Sequence, residues 1–328
     1  MYQSFTSIGF ELIKRSHRFG PTFGARLSNH LPMALSAMQR LGASTDQLNA
    51  EYLRASGHLS PLGDALGIEH PMLGEKAHNA DFVEYYRTML SEIGTEQTLK
   101  TVLPTLLPGI SAGAFHGVIR LAYAVELGDI DETSHALAYW SSGYTPLGDL
   151  SFQQNLSTEE DLNQALSIFH DQTYREGIII DHVEELITLP TYSTIASQPD
   201  SLSLKEVARI VLSQYSASND FTLLHGVTGF QALVSLFPFI ENHDLALHYF
   251  WQAYVAASCT AAYRKPFQHQ IQEHAPRDIL DWSYWFERAL ETEDDHTIKL
   301  TYSCACLYDH LRLPEAISAI KYRLETSS

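Results

Sequence analysis

Hydrophobic positions recur along most of the chain at steps of three and four residues, which places side chains on one face of a helix with about 3.6 residues per turn. The first clear stripe is Leu31, Ala34, Leu35, Met38 and Leu41, opened by Asn29, with Pro32 in its first turn and Gly42 behind it. Ser44 with Gln47 three residues on is a capping-box pattern and predicts a second helix to about Ala55. Residues 56–79 are rich in glycine, with two prolines and three histidines, and read as a long irregular loop of the sort that borders a cleft. Asn79 then opens a helix with an expected buried face of Phe82, Tyr85, Tyr86, Met89, Leu90 and Ile93, stopped by Gly94. A helical pattern from Thr95 to Leu107 is interrupted by Pro104 and broken by Pro108 and Gly109.

Ala112 to Leu127 is the next helix, with His116, Arg120, Tyr123 and Leu127 along one side, followed by Glu132 to Trp140. Ser157 with Glu160 and Ser203 with Glu206 open two more, bearing Leu162, Leu166 and Phe169, and Val207, Ile210, Val211 and Tyr215. A helix from Asn219 passes through Leu224, His225 and Leu233 and is limited by Pro238. Leu245 to Ala262, Ile279 to Leu290, Glu293 to Asp309 and a short helix from Pro314 complete the set, with a polar loop at 264–277. Residues 174–200 fit no pattern well, and Ile178 to Ile180 is the one candidate strand. The expectation is an all-α fold: one large bundle-like domain over 29–328, preceded by a weakly periodic N-terminal lead-in over 1–28.

Composition sharpens this. A chain of 328 residues that is 45% hydrophobic can bury a large core. Its net charge of −18, with no basic cluster, argues against nucleic acid and anionic lipid as partners. Cys259, Cys304 and Cys306 are too few and too irregular for a disulfide framework and read as reduced core thiols. No signal-like segment and no stretch of roughly twenty apolar residues is seen, so no membrane span is expected and the protein is placed in the cytoplasm.

The helix at 293–309 poses the chemical question. Its inner stripe, His296, Lys299, Leu300, Ser303 and Leu307, turns a histidine and a lysine toward the core. An unpaired buried ammonium costs several kcal/mol, roughly, so Lys299 must be neutralised, paired or modified. Three other histidines sit in helical surroundings: His30, His116 and His225. The last two are each followed by glycine, which costs a helix about 1 kcal/mol and points to a close approach at the backbone. Each histidine alone is most simply a hydrogen-bonded core residue. Together, on separate helices, they form a candidate imidazole set for a first-row metal.

Four segments carry a family resemblance. Asn29-His30-Leu31-Pro32-Met33, Phe115-His116-Gly117-Val118-Ile119-Arg120, Leu224-His225-Gly226-Val227-Thr228 and Asp295-His296-Thr297-Ile298-Lys299 resemble, in order, the signatures of the questin oxidase-like family. The resemblance implies an all-helical oxidoreductase that oxygenates anthraquinone-type polyketides by Baeyer–Villiger-like insertion or ring cleavage. It also implies a non-haem iron (Fe2+), used with O2, held by His30, His116, His225 and His296, with Lys299 as a carboxylated lysine adding an oxygen ligand. Segments 56–79 and 140–202 depart from the family pattern, so the metal motifs transfer more directly than the substrate contacts. A neutral lysine can take up carbon dioxide and become an anionic oxygen donor; the alternative for Lys299 is a salt bridge to Glu126, Asp294 or Asp295, or a side chain that snorkels outward.

Arg120, Tyr123 and Glu126 are candidate supporting residues, or Arg120 and Glu126 a plain surface salt bridge. Phe115, Tyr123, Phe221 and Trp251 could pack an aromatic substrate or simply the core. NADPH is a candidate external reductant, but no strand followed by G-x-G-x-x-G encodes a dinucleotide-binding domain, so NADPH must bind another way or feed a reductase partner. The competing readings are an NADPH-dependent monooxygenase without protein-bound iron, and a helical ligand-binding protein that has lost the chemistry.

Overall fold

Side chains that take up the free N–H groups of a first turn set most of the helix starts. In the computed structural model, which describes residues 2–195, 197–268 and 281–326, α1 (Ser7–Ser16) opens on the Thr6 hydroxyl and turns Leu12 and Ile13 inward. The lead-in region thus contributes a core helix, which packs against the next two helices. Between them lies a two-stranded ribbon, β1 (Thr22–Phe23) with β2 (Leu27–Ser28). In α2 (Leu31–Leu41) the Asn29 side chain accepts from the Leu31 N–H, and Gly42 closes the helix at φ 95°. The expected capping box opens α3 (Thr45–Ser56). Gly94, at φ 79°, breaks α4 (Asn79–Leu106) into two segments. On the first of these Tyr85 and Ile93 are exposed, against the expected pattern, and Val83 is buried instead.

Then come α5 (His116–Leu127), α6 (Ile130–Ser142), the short β3 (Ser151–Gln153) and α7 (Thr158–Ile168), the last with its full capping box. The candidate strand at Ile178–Ile180 is instead the start of α8 (Ile179–Leu186), whose Ile180, Val183 and Leu186 form a buried stripe. A short β4 (Ser197–Pro199) pairs in parallel with β3. It is followed by α9 (Leu204–Ser216) and α10 (Phe221–Leu236); Asp220 rather than Asn219 caps α10, taking the Thr222 and Leu223 N–H groups. α11 (His243–Thr260) and α12 (Trp282–Glu291) follow, with the expected residues 279–280 and most of the 264–277 loop outside the described residues. The chain ends with α13 (Asp295–Leu311) and α14 (Glu315–Thr326). The fold is all-α, 66% helical with 4% strand. The three cysteines are free thiols, Cys259 and Cys304 buried and Cys306 half-buried.

Four helices that carry the candidate site residues form a ring. α2 packs on α5, α5 on α10, α10 on α13, and α13 back on α2. α10 is the central member, also covered by α9 and α11. This explains a stretch that the sequence reading did not single out: Phe221–Phe239 is long and apolar enough to cross a membrane by length and composition, and 78% of it is buried inside the protein. A helix surrounded on all sides by others is hydrophobic all round.

Candidate functional site

The four histidines stand near the first turns of the four ring helices. His30 occupies the N-cap position of α2, His116 opens α5, His225 lies in the second turn of α10, and His296 follows Asp295 at the start of α13. The positive ends of four helix dipoles therefore meet here, an environment that favours neutral imidazole and anionic groups. The imidazoles make a closed circuit, with ring centroids 4.6 Å apart for His30 and His116, 4.8 Å for His116 and His225, 5.5 Å for His225 and His296, and 4.7 Å for His296 and His30. His30, His225 and His296 each offer a ring nitrogen within 4.8 Å of the others.

Local backbone and small residues hold this circuit. Gly113, Ala114 and Phe115 carry successive φ values of 57°, 57° and 69°, and this left-handed run brings the Gly113 carbonyl to 2.5 Å from His116 Nδ1. Two non-glycine residues in that region cost on the order of 1 kcal/mol each. The run is wedged in place because a Cβ on Gly229 would sit 2.8 Å from Phe115. The glycines after His116 and His225 mark close approaches, as expected: a Cβ on Gly117 would meet Trp140 at 2.9 Å, and one on Gly226 would meet Tyr254 at 2.6 Å.

Each Nδ1 faces an oxygen that can only accept. His116 Nδ1 has the Gly113 carbonyl, and His225 Nδ1 has the Phe221 carbonyl at 2.7 Å. His30 Nδ1 lies 2.7 Å from one oxygen of Asp295, and His296 Nδ1 lies 2.9 Å from the other. The proton of a neutral ring is thereby assigned to Nδ1, and the lone pair to Nε2. The Nε2 atoms of His116 and His296 are buried without a hydrogen-bond partner among the described residues. Burial, then the nearby Lys299 ammonium, lowers the His30 pKa to about 4. Burial and neighbouring imidazoles hold His116 and His225 well below the usual histidine value.

Asp295 ties the site together. Its carboxylate also lies 3.2 Å from Lys299 Nζ, and Lys299 is 3% exposed. Burial pushes the Asp295 carboxyl up, but the Lys299 ammonium and then His30 overturn this and hold it well below the usual range. The sequence reading weighed Asp295 only as one of three ion-pair partners for Lys299; its place between His296 and Lys299 on one helix was the available signal. Behind it, Arg323 of α14 donates to Asp294, the N-cap of α13, at 2.8 Å and to Asn219 ahead of α10 at 2.9 Å.

The imidazoles line a cavity of about 1170 Å³, which Asp295, Phe221, Ile178 and Tyr263 also line. Phe221 meets His225 edge-on and His296 at a tilt, its ring centroid 4.7 Å from each. The three candidate supporting residues lie elsewhere. Arg120 is buried and donates to both oxygens of buried Glu132, at 2.7 and 2.9 Å, so it is an interior ion pair rather than a surface one. Tyr123 and Glu126 line a separate cavity of about 340 Å³, where Glu126 accepts from Tyr302 at 2.5 Å and pairs with Arg40 at 2.9 Å. Trp251 is core, its indole N–H donating to Asp161 at 2.6 Å, and Phe115 is buried.

No curated protein matches the chain. The family model described as Questin oxidase-like matches residues 27–304, most of the chain and all five of His30, His116, His225, His296 and Lys299. The chain belongs to the questin oxidase-like family, and its class at that level is oxidoreductase.

Proposed function

We propose that the protein is a non-haem iron oxygenase of a polycyclic aromatic, anthraquinone-like substrate, acting by Baeyer–Villiger-like insertion or ring cleavage. The carrying observation is the donor pattern: four imidazoles with Nδ1 occupied and Nε2 free, two of these Nε2 atoms buried and unpartnered. Metal-bound histidines characteristically have their other ring nitrogen tied to a carbonyl or carboxylate, so the residues fit the group. His30, His116, His225 and His296 would hold it through Nε2. When bound, ferrous iron supplies the dioxygen chemistry that side chains lack.

The chain's own residues do the rest. Gly113, Phe221 and Asp295 keep each ring in one tautomer and orientation. The cavity has room for a flat ring system of several fused rings, and Phe23, Leu27, Ile178 and Phe221 give its wall apolar surface for such rings to pack on. Electrons beyond those of the substrate come from an external donor, NADPH or a reductase partner.

Lys299 has two chemically distinct roles to choose between. As a carbamate it adds an oxygen donor one turn from His296, and Asp295 then serves the two imidazoles alone. As an ammonium it is the counter-ion of Asp295, the reading that the 3.2 Å contact favours. Loading the protein with ferrous iron under anaerobic conditions in carbon-13-labelled bicarbonate separates them, since only the carbamate retains label in the NMR spectrum. Near-stoichiometric iron that is lost in His116→Ala and His225→Ala supports the oxygenase. Failure to bind iron, or binding unchanged in both variants, would leave a helical ligand-binding protein.

A further inference from the structure

The last helix, α14, sends one side chain to the back of the site. Arg323 stands outside residues 27–304, where the family model matches, and its side chain is 18% exposed. Each of its three nitrogens donates to a different residue: Nε to the Thr297 hydroxyl at 2.9 Å, Nη1 to the Asn219 side-chain oxygen at 2.9 Å, and Nη2 to Asp294 at 2.8 Å. Asp294 and Thr297 bracket His296 at the start of α13. Asn219 stands just ahead of α10, where Asp220 caps the helix and the Phe221 carbonyl accepts from His225 Nδ1. One guanidinium thus joins the two segments that present His225 and His296.

Helix stability alone does not account for this placement. The starts of α10 and α13 are the positive ends of their dipoles, and a cation set beside them is repelled. Asp294 offsets that charge, but as an N-cap it would serve α13 without the arginine. What Arg323 adds is geometry: a planar fork fixes several donor directions at once, which a flexible ammonium does not. The two rings it acts on are also the widest-set neighbours in the circuit, at 5.5 Å against 4.6 to 4.8 Å for the other three pairs.

We infer that Arg323 is a positioning residue for the metal site, setting the separation of His225 and His296 by holding the start of α13 against the turn before α10. It acts through Asp294, Thr297 and Asn219 rather than by touching the ion. This rests on the proposed metal reading and adds to it control from a helix that carries none of the proposed ligands. The coupling is reciprocal, so an ion that fixes the two imidazoles also steadies α14.

The test titrates the full chain with cobalt(II) under anaerobic conditions, since this ion accepts the same nitrogen donors and its visible absorption bands report how they are arranged. Arg323→Met is expected to bind cobalt about tenfold more weakly, with bands changed in position and intensity at saturation. Arg323→Lys keeps a charge beside Asp294, and with it most of the melting temperature of the metal-free protein, but lacks the fork, so the altered bands persist. Unchanged affinity and bands in both variants overturn the inference, whatever their melting temperatures, and leave Arg323 a structural contact. A second measurement needs no variant to fold: in the unaltered protein, cobalt should slow amide exchange around Arg323 in α14 more than in α7, and equal slowing in the two helices also overturns the inference. If the unaltered protein binds no cobalt, the metal reading falls, and this inference with it.

Discussion

At the scale of single residues, Asp295 carries the most consequence. It is the counter-ion of buried Lys299 and the Nδ1 partner of His30 and His296, so Asp295→Asn keeps the shape but removes the charge all three rely on. Breaking a buried pair from one side costs about 3 kcal/mol, and removing a partner behind metal-ligating histidines costs roughly 10- to 100-fold in metal affinity. Both losses are expected in urea unfolding and iron titration, and Asp295→Asn with Lys299→Met should recover stability but not iron. A second residue prediction concerns pH. Burial raises the Asp161 carboxyl to about 6, with Trp251 opposing it. The folded state therefore holds a proton that the unfolded chain has released between about pH 4 and 6, so stability falls as pH rises through that window. Asp161→Asn should raise stability by roughly 1 to 2 kcal/mol at pH 7.5 and leave it unchanged at pH 4, as measured by urea midpoints. The four histidines and Lys299 were legible because apolar surroundings made them conspicuous. The part played by Asp295 was not, since an acid one helical turn before a lysine looks like a plain ion-pair partner whatever else it touches.

At the scale of elements, most helices could be read because caps and stripes agreed, as at Ser44, Ser157 and Ser203. Where they did not, packing decided. Three β-branched residues at 178–180 favour a strand locally, but Val183 and Leu186 extend the buried face of a helix too short for its period to stand out. The two histidine–glycine pairs were read as close approaches, and that is what α6 and α11 make, although the approaching groups are neighbouring aromatic side chains. These contacts rank two substitutions. Gly117→Ala puts a Cβ 3.1 Å from the Trp140 backbone, which cannot yield without moving α6. Gly226→Ala meets only the Tyr254 ring. Overpacking typically costs about 1 to 3 kcal/mol against a helix-propensity gain of up to about 1 kcal/mol, so both variants should melt lower and Gly117→Ala lower still. An equal or reversed order of melting temperatures would show that α6 tolerates the shift.

For the whole molecule, the ligands proposed for iron lie between His30 and Lys299 in sequence but on four helices that pack as a ring. A metal held by all of them closes that ring a second time, and binding adds directly to folding stability. At a free concentration one thousand times the dissociation constant the gain is about 4 kcal/mol. With an unfolding entropy of roughly 2 cal/mol/K per residue, this corresponds to a rise of about 6 °C in melting temperature. The distribution of the effect is more informative than its size. Hydrogen exchange should slow most at the starts of α2, α5, α10 and α13, whereas α7, which contributes no histidine to the circuit, should gain only the protection that the higher global stability confers. An ion resting on Asp294, Asp295 and His296 alone, the other group of donors close enough to share one among the described residues, would protect the start of α13 above all and add no local protection at α2 and α5. His225→Ala therefore discriminates between the two: it abolishes the concerted protection if the ion joins all four helices, and leaves a local effect intact if it does not.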